Sequence, residues 1–467
     1  MNSLDIHNSG RLNNATLLHT VSGIPTNQVV YVRLWSETAV DTDSYWVFDY
    51  TYNSDLDSDG ISDVIDPDPA IANPMQRFAG PDYALTILGS GRIASLESAS
   101  LFNATFDGMS GEMSEITTIV YAHLKDKFDF VIVASNQEAV PSGTYSGIFY
   151  PTRNDVQGIG KGLFDSTALY GSSGRLQGAI HLTSTDGLVG GPGLHEIAHN
   201  WANSMSSVPS TVSGHWGYSN IGGQLGGWLP GSLESLGEGQ YCAKNPRTGV
   251  YARFGSFANG GNCLPYSPFE LYTMGLLSAG DVGHDIKIAN DFTWVVSSEG
   301  RFSASSITTR TMADVVTIDG VRVPDHLTSQ KHFRILYLVL TPNPLSTGEW
   351  AAFDEDVHSF SLDADNGVSL YNFWEATGGR ATVGMDGLLQ SIRGGPSAPI
   401  RGVSSGPGVQ TEVTVMGQNE SGYVLFYSTD LKEWIGLPVV AGPGSELGLT
   451  HNSNGERTLF FRVEEDP

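Results

Sequence analysis

The chain has only two cysteines in 467 residues, Cys242 and Cys263, which excludes a disulfide-built scaffold and leaves room for one bridge. Basic residues are scarce as well. Lysine and arginine total 24 against 50 aspartates and glutamates, a formal net charge of −26. Such a chain repels nucleic acid and anionic membrane surfaces and attracts cations. Charged residues as a whole reach only 16%, and 56 glycines punctuate the sequence, which excludes a helical-bundle composition. No apolar run approaches the roughly 20 residues of a membrane-spanning helix. The opening, MNSLDIHNSG, has no apolar signal core and reads as a cut into a longer protein. Several catalytic signatures are missing too. There is no G-x-S-x-G nucleophile elbow and no Walker phosphate loop, and GIGKG at 158–162 is glycine-rich without that pattern. The cysteines lack C-x-x-C spacing.

What is present divides the chain into four stretches, within the range of about two to four domains for this length. Residues 1–52 end in VVYVRLWSETAVDTDSYWVFDYTY, where Val29, Tyr31 and Arg33 alternate with Val30, Val32 and Leu34, a partial β-rich module. Residues 53–78 hold DLDSDGISDVIDPDP. Asp55, Asp57 and Asp59 stand at alternate positions, Gly60 permits a sharp turn, the Ile61 carbonyl follows, and Asp63 and Asp66 supply further oxygens. That is calcium-loop spacing, closed by an aspartate where glutamate is usual. Residues 79–393 mix helical and strand patterns: MSEITTIVYAHLKDKF reads as a helix, DFVIVAS and GRLQGAIHLTS as buried strands. Capping-box residues Ser346 and Glu349 open a further helix, and SLYNFWEATGG ends another on paired glycines. GGPSAPIRGVSSGPG reads as a linker. Residues 394–467 then alternate as strands in TEVTVMG, GYVLFYST and TLFFRVEE, a small β-sandwich.

The densest chemistry lies in GPGLHEIAHNWANSM, 191–205. His195 and His199 are four apart, so a helix sets both on one side, able to grip one metal ion. Glu196 lies beside them as a general base. Leu194, Ile197, Ala198, Trp201, Ala202 and Met205 make an apolar stripe that predicts a helix through Met205, and Pro192 suits its first turn. HEIAH in this setting resembles the zincin metallopeptidases. The resemblance covers the middle of the chain and implies a catalytic Zn²⁺ with an activated water, a zincin-like α+β domain, and a cleft strand supplied by GAIHLTS.

The resemblance also requires a third ligand, a later histidine or glutamate. The compact pattern HExxHxxGxxH is broken, since Ala202 and Met205 stand at its glycine and last histidine. His215 in SGHWGYSN is the first choice, with Met274 of LYTMG as a methionine turn beneath the metal. Glu270 is the alternative, although Ser267, Pro268 and Glu270 also make a helix start without metal. Glu234 and Glu238 are further candidates. Tyr218 is the named oxyanion donor, with Tyr241 and Tyr272 beside it, and GYSNIGGQLGGW is expected as a flexible wall of the cleft.

The Asp-rich stretch resembles the calcium repeats of thrombospondin type 3 or dockerin, implying structural Ca²⁺. The N-terminal module resembles a β-rich repeat of large bacterial surface proteins. Together these predict an α+β multidomain chain, a zincin-like catalytic domain flanked by β-rich modules. The expected function is a secreted or cell-surface zinc endopeptidase acting on extracellular protein or glycoprotein, attached through its flanking modules. In that compartment a Cys242–Cys263 disulfide is expected. The rival is a non-enzymatic adhesin or scaffold with a zinc-stabilised fold, which has no need of Glu196.

Overall fold

The computed structural model describes residues 75–393, apart from 105–109, 141, 143, 203, 210–211 and 213, together with Ile61, Ile65, Asp66 and Asn73. Within 30–52 and 400–465 it describes backbone strands alone. Asp55, Asp57, Asp59 and Asp63 of the calcium reading lie outside the described residues. Ile61 is fully buried in the main core, and Asp66 accepts a hydrogen bond from Asn73 at 3.3 Å.

In chain order the first elements are β1 Val30–Thr38, β2 Asp41–Tyr52, β3 Gln76–Ala79, β4 Ala84–Ile87, β5 Ile93–Glu97, α1 Ala99–Ala104, α2 Ser110–His123, β6 Phe130–Ser135 and β7 Gly147–Pro151. Next come β8 Arg153–Asn154, β9 Phe164–Asp165, β10 Gly178–Leu182, α3 Gly193–Ala198, β11 Glu234–Gly237, β12 Gln240–Cys242, α4 Pro268–Met274, β13 Ile286–Asn290, β14 Thr293–Val296, β15 Arg301–Ser303 and β16 Ser306–Arg310. The last described helices and sheet strands before residue 394 are α5 Met312–Asp319, β17 His332–Thr341, α6 Thr347–Phe360, α7 Phe373–Ala376 and β18 Thr382–Gly384.

The architecture is α+β, built on a large mixed sheet of order β3-β4-β5-β17-β6-β10-β7, with β18 added to the start of β17. The central strands β5, β17, β6 and β10 run parallel, and β7 closes one edge antiparallel to β10. Strand alternation sorts the side chains into two cores. Ile132, Ile180, Leu182, Tyr337 and Val339 enter the core that also holds residues of α3, α4 and α6. Val131, Val133, Ala179, Leu336 and Leu338 face the core covered by α2, through Met113, Ile116 and Val120, with Leu124 just past the helix end. Burial on both faces explains why DFVIVAS reads as an unbroken apolar run. A satellite core of Trp228, Phe254 and Phe302 lies around the smaller sheet β11-β12-β15-β14.

Several expectations change. The helix predicted through Met205 ends at Ala198, with His199 as its C-cap. The chain then tightens, with Asn200 and Trp201 donating to carbonyls three residues back. The Asn200 carbonyl, which a longer helix would use, accepts instead from Lys161 Nζ at 3.2 Å. Trp201, Ala202 and Met205 are nevertheless buried, because a sequence of turns covers the same core. GAIHLTS supplies β10, which is interior; β7 is the edge beside α3. Within the expected 394–408 linker, Ile400–Ser405 is a strand paired with Gln410–Met416. The C-terminal strands form two three-stranded antiparallel sheets. No described helix is long and apolar enough to cross a membrane.

His181 on β10 is fully buried, its Nε2 2.8 Å from Ser135 Oγ, and burial pushes its pKa down to about 4. The unfolded chain therefore binds this proton more readily than the native one. The stability from keeping His181 neutral is complete above pH about 6.5 and is lost as pH falls towards 4. His181→Asn should flatten that acid limb by about 3 kcal/mol in urea midpoints measured across this window. Parallel pH profiles for both proteins would refute the assignment.

Candidate metal centre

α3 starts without a side-chain cap of its own. Asn262 supplies one from elsewhere in the chain: its Oδ1 accepts from Leu194 N at 3.2 Å, while its Nδ2 donates to the Leu188 carbonyl at 2.7 Å. Tyr266 donates its hydroxyl proton to the Leu194 carbonyl at 2.8 Å. These bonds fix the helix against the loop that precedes α4. His195 and Glu196 are thereby held in the buried interior, 6% and 4% exposed.

His195, His199 and His215 converge, with one ligand nitrogen from each lying within 4.8 Å of the others. His195 Nε2 is 3.1 Å from His199 Nε2 and 3.1 Å from His215 Nε2. Three nitrogens bound tetrahedrally to one zinc lie about 3.3 Å apart, so the spacing fits a shared ion. The chemistry also fits. His195 Nδ1 is 2.9 Å from the Gln224 carbonyl, which only accepts, so Nδ1 carries the hydrogen and Nε2 presents a lone pair to the group. Burial, reinforced by the neighbouring histidines, pushes His195 down to about 4 and His199 well below the usual range. Both rings are therefore neutral near pH 7, as metal ligation needs. The three side chains can hold a metal ion; the geometry alone does not select which.

His215 comes from a turn that bridges back to Val212, and its ring meets the edge of Phe257, 5.1 Å between centroids. Phe257 is 59% exposed, an apolar side chain left at the mouth of the group. Beyond His215 the chain is not the flexible wall expected of GYSNIGGQLGGW. Trp216, Ile221, Leu225 and Trp228 are buried, and Glu270 holds the segment in place.

Glu270 is outside the histidine group. Its carboxylate, fully buried, accepts from Ser267 N at 2.8 Å, Leu225 N at 2.9 Å, Gln224 N at 3.1 Å and Trp216 Nε1 at 3.2 Å. Burial raises its pKa, and these donors oppose the rise. The capping box with Ser267 is present, and the same carboxylate anchors the segment carrying the His195 acceptor, Gln224. It is a positioning residue for the centre. Met274 is the last residue of α4 in the main core, not a turn.

Glu196 has a different environment. Burial pushes its pKa up to about 8, and among the described residues no donor reaches its carboxylate. It lies against β7 at Gly147, where an added Cβ would stand 2.8 Å from Glu196 Cγ and Oε1. Only glycine lets the edge strand pass this close to the carboxylate.

The other named residues lie elsewhere. Tyr218 stacks on Phe292 with centroids 3.8 Å apart, and Tyr241 stacks on Phe302, so both belong to the satellite core. Tyr272 is buried on α4. Glu234 faces Cys242 and Tyr251, and Glu238 occupies the tight turn between β11 and β12 with φ 52°. The expected disulfide is not formed. Cys242 Sγ is directed at Glu234, 3.9 Å away, and Cys263 Sγ at the Gly260 carbonyl, 2.6 Å away, so the two thiols face different partners. Gln224, Gly147 and the positioning role of Glu270 escape the sequence pattern, because a backbone carbonyl, a missing side chain and a doubly used cap leave no spacing to read.

No family model, curated protein or solved structure matches the chain. Its chemistry is therefore argued from the residues themselves. Zinc titration of the metal-free protein should show one tight site, lost in His215→Ala. Glu270→Gln, which removes no ligand, should weaken zinc by about 10–100-fold through the Gln224 segment. Wild-type affinity in Glu270→Gln would overturn its positioning role.

Proposed function

We propose that the chain is a zinc-dependent hydrolase of peptide bonds, zincin-like in its catalytic region, acting on extracellular protein or glycoprotein. The observation that carries this is Glu196: a buried residue whose carboxylate meets no donor among the described residues, adjacent in sequence to a member of a three-histidine group that can hold a metal. A buried carboxylate kept only for stability needs hydrogen-bonding partners, as Glu270 has. A carboxylate that must take up and release a proton is better left without them.

His195, His199 and His215 would hold the zinc, which would supply an activated water by lowering its pKa to about 7. Glu196 accepts the proton of the attacking water and delivers it to the leaving amine. His195 keeps its metal-facing nitrogen bare through its bond to Gln224. The outer edge of β7 has no strand partner among the described residues, so an extended substrate can pair there and pass Glu196. Phe257 offers an apolar contact beside His215. An open edge suits cleavage within a chain. In this proposal the Asp-rich stretch is a calcium-stiffened joint, and the flanking β-modules attach the enzyme to its target.

The non-enzymatic scaffold reading makes the opposite demand on Glu196, which it leaves idle. Glu196→Gln should retain zinc while cleavage of denatured protein substrates falls by about 10²–10⁴-fold. Chelation should abolish cleavage and added zinc restore it. A zinc-loaded wild type that cuts no protein or peptide would refute the hydrolase and favour the scaffold.

A further inference from the structure

GIGKG at 158–162 has no phosphate-loop pattern, yet its lysine lies beside the metal centre. Lys161 Nζ donates to the carbonyl of Asn200, the residue after His199, at 3.2 Å. The same ammonium stands 5.7 Å from the ring centroid of Phe149. Phe149 is two residues along β7 from Gly147, so the two share a strand face, the one turned to the core that includes α3. Lys161 thus stands along the path past Glu196 that a strand paired with β7 would follow.

The lysine is held in place by its neighbours. Gly160 has φ +73°, and a Cβ there would meet the Ser204 carbonyl oxygen at 2.1 Å, just past the α3 turns. Ile159 is fully buried, and the Lys161 carbonyl accepts from Asn154 Nδ2 at 3.3 Å. In a chain with 50 acidic residues, the half-buried ammonium forms no ion pair among the described residues. Its one bond is to a neutral carbonyl, which leaves donors unused. An ordinary surface lysine keeps its head in water; this one is drawn onto an aromatic face and onto the carbonyl of the residue after His199.

We propose that Lys161 is a specificity residue that anchors a substrate carboxylate, either an Asp or Glu side chain or the peptide's own C-terminus, within about two residues of the scissile bond, as the Phe149–Gly147 spacing along β7 sets. This rests on the hydrolase reading above. The carboxylate replaces water around the partly desolvated ammonium and makes a charge-assisted bond there. The net negative surface meanwhile repels acidic peptides from unspecific contact.

The test is a pool of random peptides, made with free C-termini and again as carboxamides, digested by the zinc-loaded full chain and sequenced at the cuts. Wild type should enrich Asp, Glu or a free C-terminus within two residues of the cut by about tenfold over neutral isosteres. Lys161→Gln should lose that enrichment, Lys161→Arg retain most of it, and Lys161→Glu shift it towards Lys and Arg. Zinc affinity measured on each variant reports an intact centre. Cleavage without acidic enrichment, or enrichment that survives in Lys161→Gln with zinc bound, overturns the anchor while leaving the hydrolase standing. No cleavage by wild type overturns both.

Discussion

The Glu270 carboxylate gathers N–H donors from its own helix start and from the segment that follows His215, and the arrangement of the three histidines depends on that junction. Without it, Gln224 has no fixed carbonyl to offer His195, and Trp216 loses the bond that seats it beside the ligand turn. A carboxylate so buried is tolerated because its oxygens are answered by donors. It resembles the capping glutamates Glu349 and Glu375 in closing a helix start. It differs in also bonding a distant stretch of chain, which turns a local cap into a tertiary tie.

Two carboxylates near the histidines therefore do opposite things for one physical reason. Glu270 is surrounded by donors that favour its charged form and fix its place. Glu196 meets no donor among the described residues, and burial alone raises its proton affinity. The sheet makes this asymmetry accessible. β7 is the last strand, its glycine lets Glu196 come to the edge, and the aromatic face of Phe149 carries Lys161 alongside. Fold and site meet at an edge where a strand could still be added.

The chain's acidity gives the same region its contrast. Arg92, mostly covered, lies on Asp354 with Ser90 close by, and the more exposed Arg175 reaches Asp129 at 3.2 Å. Lys161, like the buried Arg322, is held by neutral oxygens and has no carboxylate partner among the described residues.

Local patterns were legible wherever burial imposes a period. The runs in DFVIVAS and GAIHLTS, the Ser346–Glu349 cap and the spacing of His195, Glu196 and His199 follow from contacts between residues near in sequence, and each took its expected local form. Periodicity overreached at Met205, because an apolar stripe records what must be buried and not whether a helix or turns bury it. It was silent on Gln224, Gly147 and Lys161, whose roles depend on approaches between segments tens of residues apart. The cysteine pair misled for the same reason: count and compartment admit a bridge, while the directions of Cys242 and Cys263 are set by different surroundings. By itself the sequence determined the buried strands, the helix starts and two histidines one helical turn apart with their glutamate, since neighbours along the chain dictate these. Tertiary structure alone decided that His215 joins them, that Glu270 braces the centre and that Lys161 stands by the edge strand, since only packing fixes distances between residues the chain keeps far apart.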